Sequence, residues 1–249
     1  MDSVNFAMAM DHYDVVMHQP HPPGYFLYVM LGRFLNFFVH DANVALVSLS
    51  ILFGALTVVV IYYLGKELYN PECALLAALL AITSPNLWFH GEVALTYVIE
   101  AFFSTWIAFL CWKVLKGEER LIWIAAIVLA IAGGIRQNTP VFLFPLYLFS
   151  IRQVSFRKII ASLGLFVIVS LCWFIPMIRM TGGLEAYVAA FRELWLFNTG
   201  HNSVFEKGLA ALYYYSQTLF TFITWSIGGG IIVFAVTYTI LSEKKDWIF

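Results

Sequence analysis

Residues 44–64 read VALVSLSILFGALTVVVIYYL, a stretch without a single charge that runs into Gly65-Lys66-Glu67 and the Asn70-Pro71 turn. A helix rises 1.5 Å per residue, so a run of about twenty apolar residues covers a hydrocarbon core about 30 Å thick. Val44–Leu64 is therefore read as a transmembrane helix, and the segments around it repeat the pattern. Cys73–Phe89 returns and is broken near its end by Ser84-Pro85-Asn86. Tyr97–Leu115 crosses again and reaches Lys116-Gly117-Glu118-Glu119-Arg120. Leu121–Ile151 is too long for one ordinary crossing and carries Gly133-Gly134-Ile135-Arg136-Gln137-Asn138-Thr139-Pro140 in its middle, which reads as a hairpin of two short spans. Ile159–Ile178 and the second half of Leu209–Leu241 complete the set. Gly24–Val39 is apolar but short and interrupted by Gly32, Arg33 and Asn36, as suits an interfacial helix. Leu184–Phe197 reads as a surface helix, followed by a loop over Asn198–Ser203.

The expected fold is all-α: a polytopic transmembrane helical bundle with about seven crossings plus interfacial helices. It forms one membrane domain over residues 1–249. Residues 1–42 make an outer loop with its interfacial helix, 43–178 the core spans, 179–208 a second outer loop, and 209–249 the last span and a cytoplasmic end.

Composition agrees. The chain is 61% hydrophobic and only 12% charged, with a mean hydropathy of +0.82, far from the roughly quarter-charged balance of soluble domains. Membrane lipids are its first partners. A net charge of -1 without a Lys/Arg cluster excludes nucleic acid as a partner. Cys73, Cys111 and Cys172 are odd in number and set in apolar runs, so they read as small buried or lipid-facing hydrophobes. No metal cluster and no cofactor are indicated, although Asp2, His12 and Glu92 could converge in three dimensions. No signal peptide opens the chain, because Met1–Pro23 is polar and acidic.

Basic residues set the orientation. With the N-terminus outside, Lys66, Lys113, Lys116, Arg120, Arg152, Arg157, Lys158, Lys244 and Lys245 fall in cytoplasmic loops, nine of the fourteen Lys and Arg. All six histidines and the acids Asp2, Asp11, Asp14, Asp41, Glu92, Glu100, Glu185, Glu193 and Glu206 then lie at the outer boundary.

Several of these outer residues suit chemistry. Asp2-Ser3, Asp11-His12-Tyr13-Asp14 and His18-Gln19-Pro20-His21-Pro22-Pro23-Gly24-Tyr25 form an acidic, proline-stiffened start, in which the prolines hold the chain extended and delay the first helix to Gly24. Read as residues alone it is equally a solvated loop, with Asp11 and Asp14 as loop acids. Glu92 and Glu100 flank Tyr97, and Glu100 falls inside an apolar helix, where an ionisable group faces a cavity or a partner. Arg136 sits at the hairpin turn; arms of about fifteen residues reach only about 22 Å, which leaves the turn below the outer surface. A guanidinium there needs an anion, either a phosphate or the carboxylate of Glu92 or Glu100, unless it snorkels to head groups. Tyr187, Phe191, Trp195 and Phe197 beside Glu185, Arg192 and Glu193 read as an interface anchor, or as a lid over an acceptor site.

Asp2-Ser3-Val4-Asn5-Phe6, followed by His21-Pro22-Pro23-Gly24-Tyr25, resembles the first outer loop of the GT-C glycosyltransferases, in the branch of dolichyl-phosphate-mannose protein mannosyltransferases and aminoarabinose transferases. The resemblance continues through Arg33, Leu52–Tyr69, Ala74–Pro85, Gly91–Tyr97 with Glu100, Gly133–Gln137 and Pro145, about the first 150 residues. It implies a multi-span membrane enzyme that transfers a sugar, with inversion, from a polyprenyl-phosphate donor to an acceptor hydroxyl outside the cytoplasm. That site lies at the plasma or inner membrane of a bacterium, or the endoplasmic reticulum of a eukaryote. It places Asp2 at the position of the catalytic carboxylate. Glu92 is the second catalytic candidate, and Arg136, His21, Tyr97 and Glu100 are the substrate-binding candidates. Because the family has a transmembrane helix before that acid, and an apolar segment begins again at Trp247-Ile248-Phe249, the resemblance also implies a chain cut short at both ends. A transporter or flippase, or an inactive scaffold of the same fold, are the rival readings.

Overall fold

The computed structural model describes residues 2–202 and 207–226. Ten helices are arranged in chain order: α1 Asp2–Asp11, α2 Phe26–Val39, α3 Ala42–Leu68, α4 Pro71–Ile82, α5 Pro85–Gly91, α6 Tyr97–Leu115, α7 Leu121–Ile135, α8 Asn138–Ser150, α9 Phe156–Met180 and α10 Leu184–Asn202. Residues 207–226 are also helical.

Local chemistry marks the boundaries. Asp41 caps α3 by accepting a hydrogen bond from Val44 N at 2.9 Å, and Asn70 caps α4 by accepting from Cys73 N at 2.8 Å, with Pro71 in the first turn. The α3–α4 turn is tight: a Cβ on Gly65 would stand 3.0 Å from the Ala74 Cα. The chain thus reverses at once, and α4 packs back along α3.

α3, α6 and α9 are long and apolar enough to cross a membrane, and α4 with α5, bent by 56°, forms a fourth candidate. Of the seven expected crossings, the two that make the hairpin around Arg136 do not reach that length. α7 has 15 residues and α8 has 13, about 22 and 20 Å of helix. The hairpin expected around Arg136 is present, with α7 ending at Ile135 and α8 starting at Asn138. The second half of the last expected span, with Lys244 and Lys245, lies outside the described residues.

α7 is the axis of the bundle: ten of its residues, from Ile122 to Ile135, are buried, and it packs against α6, α8, α9 and α2. Trp173 on α9 donates from Nε1 to the Ala130 carbonyl at 2.9 Å. Tyr147 on α8 donates to Ser162 Oγ on α9 at 2.8 Å. α9 itself is mostly exposed, as a helix facing lipid must be. Cys111 is buried, whereas Cys73 and Cys172 are exposed, and all three are free.

Two expectations are corrected. Asp2–Asp11 is a helix, not an extended loop: Phe6, Ala9 and Met10 are buried, and burying that face supplies what the polar composition hides. The expected loop at Asn198–Ser203 is helical through Asn202, because α10 continues past Phe197.

Ion pairs mark one end of the bundle. Lys113 at the end of α6 meets Glu67 at the end of α3 at 3.1 Å and also pairs with Glu118. Lys158 at the start of α9 meets Glu119 at 2.6 Å. The starts of α6 and α8 and the ends of α7 and α9 lie at the other end.

Candidate active site

The site grows from a proline-rich turn clamped on several sides. After α1, the Asp14 carboxylate accepts from Val16 N at 2.9 Å and Met17 N at 3.4 Å, while Asp14 and Gln19 exchange backbone hydrogen bonds of 2.7 and 2.8 Å. Asp14 therefore holds a turn and is not simply a solvated acid; Asp11 is exposed. Gly24 has φ +115, and a Cβ there would lie 2.8 Å from the Tyr13 hydroxyl and 3.0 Å from Met177 Sδ, so the turn needs glycine. Tyr13 donates to the Gly24 carbonyl at 2.6 Å. The Pro23 carbonyl accepts from Gln137 Nε2 at 3.0 Å and from the Tyr187 hydroxyl at 3.2 Å. The loop before α2 is thus fastened to the α7–α8 turn and to α10.

This clamp sets His21 and Tyr25 beside the hairpin turn. His21 Nε2 and the Tyr25 hydroxyl are hydrogen bonded at 3.1 Å, and Phe6 of α1 packs edge-on against Tyr25 with ring centroids 5.1 Å apart. Burial pulls the His21 pKa below its ordinary value, opposed by the Asp2 carboxylate. Burial pushes Tyr25 up to about 12, an effect that Arg136 opposes and that Asp2, Tyr97 and Glu100 reinforce. Tyr25 is therefore hydrogen bonded to His21 and lies within electrostatic reach of four more of the residues singled out by sequence, Asp2, Tyr97, Glu100 and Arg136.

Arg136 follows the last turn of α7. Its Nη1 pairs with Glu100 Oε2 at 3.0 Å, its guanidinium lies 4.8 Å from the centre of the Tyr97 ring, and Thr139 Oγ1 donates to the other Glu100 oxygen at 3.2 Å. Of the anions open to Arg136, Glu100 is thus one that it meets. Both side chains are about one quarter exposed, and Arg136 Nε is buried without a partner among the described residues, as are His21 Nδ1 and Gln137 Oε1. A buried donor without a partner is a place where a ligand oxygen gains most.

Asp2 stands exposed in the first turn of α1. Glu92 caps α5 and is exposed; it lines a different, apolar groove of about 390 Å3 with Ile51, Gly54, Val58, Leu87 and Trp88. Asp2, His12 and Glu92 do not converge, and among the described residues no three His, Cys, Asp or Glu side chains are placed to hold a metal ion. Tyr25, Gln137, Thr139 and Phe6 were not singled out as site residues. Tyr25 and Gln137 end the HPPGY and GGIRQ strings, but only the packing shows which way they act.

No curated protein and no solved structure matches the chain. A family model described as dolichyl-phosphate-mannose-protein mannosyltransferase matches residues 20–179, a stretch that contains His21, Tyr25, Glu92, Tyr97, Glu100 and Arg136 but not Asp2. The match covers more than half of the chain, which belongs to this family of GT-C-type membrane glycosyltransferases.

Proposed function

We propose that this protein transfers a sugar from a polyprenyl-phosphate donor to an acceptor hydroxyl on the non-cytoplasmic side of the membrane. The observation that carries the reading is the gathering of Asp2, His21, Tyr25, Tyr97, Glu100 and Arg136 around one turn at one end of the bundle. The donor's phosphate sits at Arg136, whose unpartnered Nε and fixed plane suit a phosphate oxygen. Tyr97 and Glu100 hold the guanidinium in place. The acceptor oxygen attacks the anomeric carbon, the bond from that carbon to the phosphate oxygen breaks, and polyprenyl phosphate leaves with the electron pair, inverting the centre. Asp2 takes the proton from the attacking hydroxyl as general base. Glu92, facing another groove, has a weaker claim to that role. A transporter was expected to break its helices mid-membrane, and one helix pair here is bent, but membership of a transferase family favours the enzyme.

The test is transfer from a radiolabelled polyprenyl-phosphate sugar into membrane acceptors by the full-length protein in proteoliposomes. Asp2→Asn keeps the shape but removes the basicity, and should lower turnover by about a hundredfold or more, with Asp11→Asn as the unaffected control. Normal transfer by Asp2→Asn with loss in Glu92→Gln would move the base to Glu92. Absence of transfer by the wild type would leave the scaffold reading.

A further inference from the structure

α10 turns one face back toward the clamped turn. Phe191, Leu194, Trp195, Asn198 and Thr199 follow the helical spacing of a single face, and together with Pro23 and Asn138 they enclose a cavity of about 310 Å3, within the range of small-ligand pockets, about 300–1,000 Å3. Its lining holds no charged side chain. Trp195 is 60% exposed and Phe191 43%, so their rings are available to a ligand. The carboxamides of Asn138 and Asn198 have no hydrogen-bond partner among the described residues, and each offers two donors and one acceptor. Thr199 Oγ1 donates to the Trp195 carbonyl at 2.8 Å, which leaves its oxygen free to accept.

Two aromatic faces beside free amides, in a lining without a charged side chain, suit a ligand that shows C–H groups on one side and hydroxyls around its edge. An uncharged sugar ring has that character: its C–H face rests on the negative face of an aromatic ring, and its hydroxyls pair with amides. A phosphate, a carboxylate or a basic peptide has no counter-charge here. The cavity opens beside Asn138, two residues from Arg136, and beside Pro23, whose carbonyl accepts from Gln137, the residue next to Arg136. We infer that this cavity is the acceptor subsite and that it binds an uncharged sugar residue, so that the acceptor is itself a saccharide or a glycolipid. This rests on the glycosyl-transfer reading above; binding in the cavity can be measured apart from it.

The experiment uses the full-length protein in phosphatidylcholine nanodiscs and a panel of methyl glycosides of glucose, galactose, mannose and N-acetylglucosamine, observed by saturation-transfer NMR. At least one glycoside is expected to bind. Trp195→Ala should weaken it about tenfold, Trp195→Phe should restore most of the binding, and Asn138→Ala should weaken it as well. Trp195 is exposed, so an unchanged melting temperature checks that the fold survives. Adding saturating polyprenyl-phosphate sugar should leave the signal in place, since donor and acceptor occupy different places. Binding of no glycoside, or binding indifferent to Trp195→Ala and Asn138→Ala, overturns the inference. Displacement by the donor assigns the cavity to the donor's sugar and overturns it too. Glycoside binding without any transfer from the labelled donor leaves the cavity a sugar-binding site, but defeats the transferase reading and with it the acceptor role.

Discussion

At the scale of the residue, Arg136 holds two jobs that a substitution can separate. Arg136→Ala removes a charged hydrogen-bond donor, worth about 1.5–3 kcal/mol to a phosphate, and leaves Glu100 half-buried without its 3.0 Å partner. Apparent donor affinity in the transfer assay should fall about tenfold or more, together with a lowered melting temperature. Adding Glu100→Gln should recover the melting temperature but not the donor affinity; recovery of both would mark a purely structural pair. His21 makes a second, independent prediction. Its pKa is pulled below the ordinary 6.5 by burial, so as pH falls the unfolded chain takes up a proton first. The stability it contributes is present above about pH 6.5 and is lost as pH falls through that value toward the lower folded one. Melting of the wild type between about pH 7 and pH 5 should therefore drop more steeply than that of His21→Gln. Asp2→Asn, which removes the carboxylate that supports the imidazolium, should steepen the fall further.

Elements meet where small residues allow it. A Cβ on Gly134 would stand 2.4 Å from Leu27 Cδ1 and 3.0 Å from Trp173 Cγ, so glycine is what lets α2 and α9 close on the end of α7, next to Arg136. Gly134→Ala overpacks this crossing, a change that typically costs about 1–3 kcal/mol. It should lower the melting temperature and, by displacing the turn, the transfer rate. The nearest obstacle is a side chain, so Leu27→Ala in the same chain should recover most of the loss; if it does not, the clash with Trp173 governs the crossing. The same logic explains α1. Its polar sequence looks like a loop, but Arg33 Nη2 on α2 donates to the Ala9 carbonyl at 2.9 Å near the end of α1, satisfying a helix terminus that has no basic residue of its own.

For the whole molecule, the question is which end faces the cytoplasm. Lys66, Lys113, Lys116, Arg120, Arg157 and Lys158 belong to the end tied by the Lys113–Glu67 and Lys158–Glu119 pairs, and basic loops stay inside. Cysteines placed at Ser3 and Asn138 in a variant lacking Cys73, Cys111 and Cys172 should react with a membrane-impermeant maleimide added outside, and one at Lys116 should not. Labelling of Ser3 and Asn138 only from the cytoplasm reverses the topology and moves the proposed chemistry to the other face.

Sequence alone determined the helical membrane class, the break at Arg136 and, to within two residues, the starts of α2, α3 and α4, because these follow from local rules: the length of apolar runs, and proline and glycine. The family string from His21 to Arg136 was legible for the same reason, since it lies along the chain. Only the tertiary structure decided that Glu100 meets Arg136, that Glu92 faces another groove, that α1 is a helix and that α10 closes over Pro23. Those outcomes depend on which faces of distant helices are buried together. Ser84-Pro85-Asn86 and the Arg136 turn mark the bent α4–α5 pair and the short α7 in the sequence, but no single segment records which helix faces that bend and that length bring together.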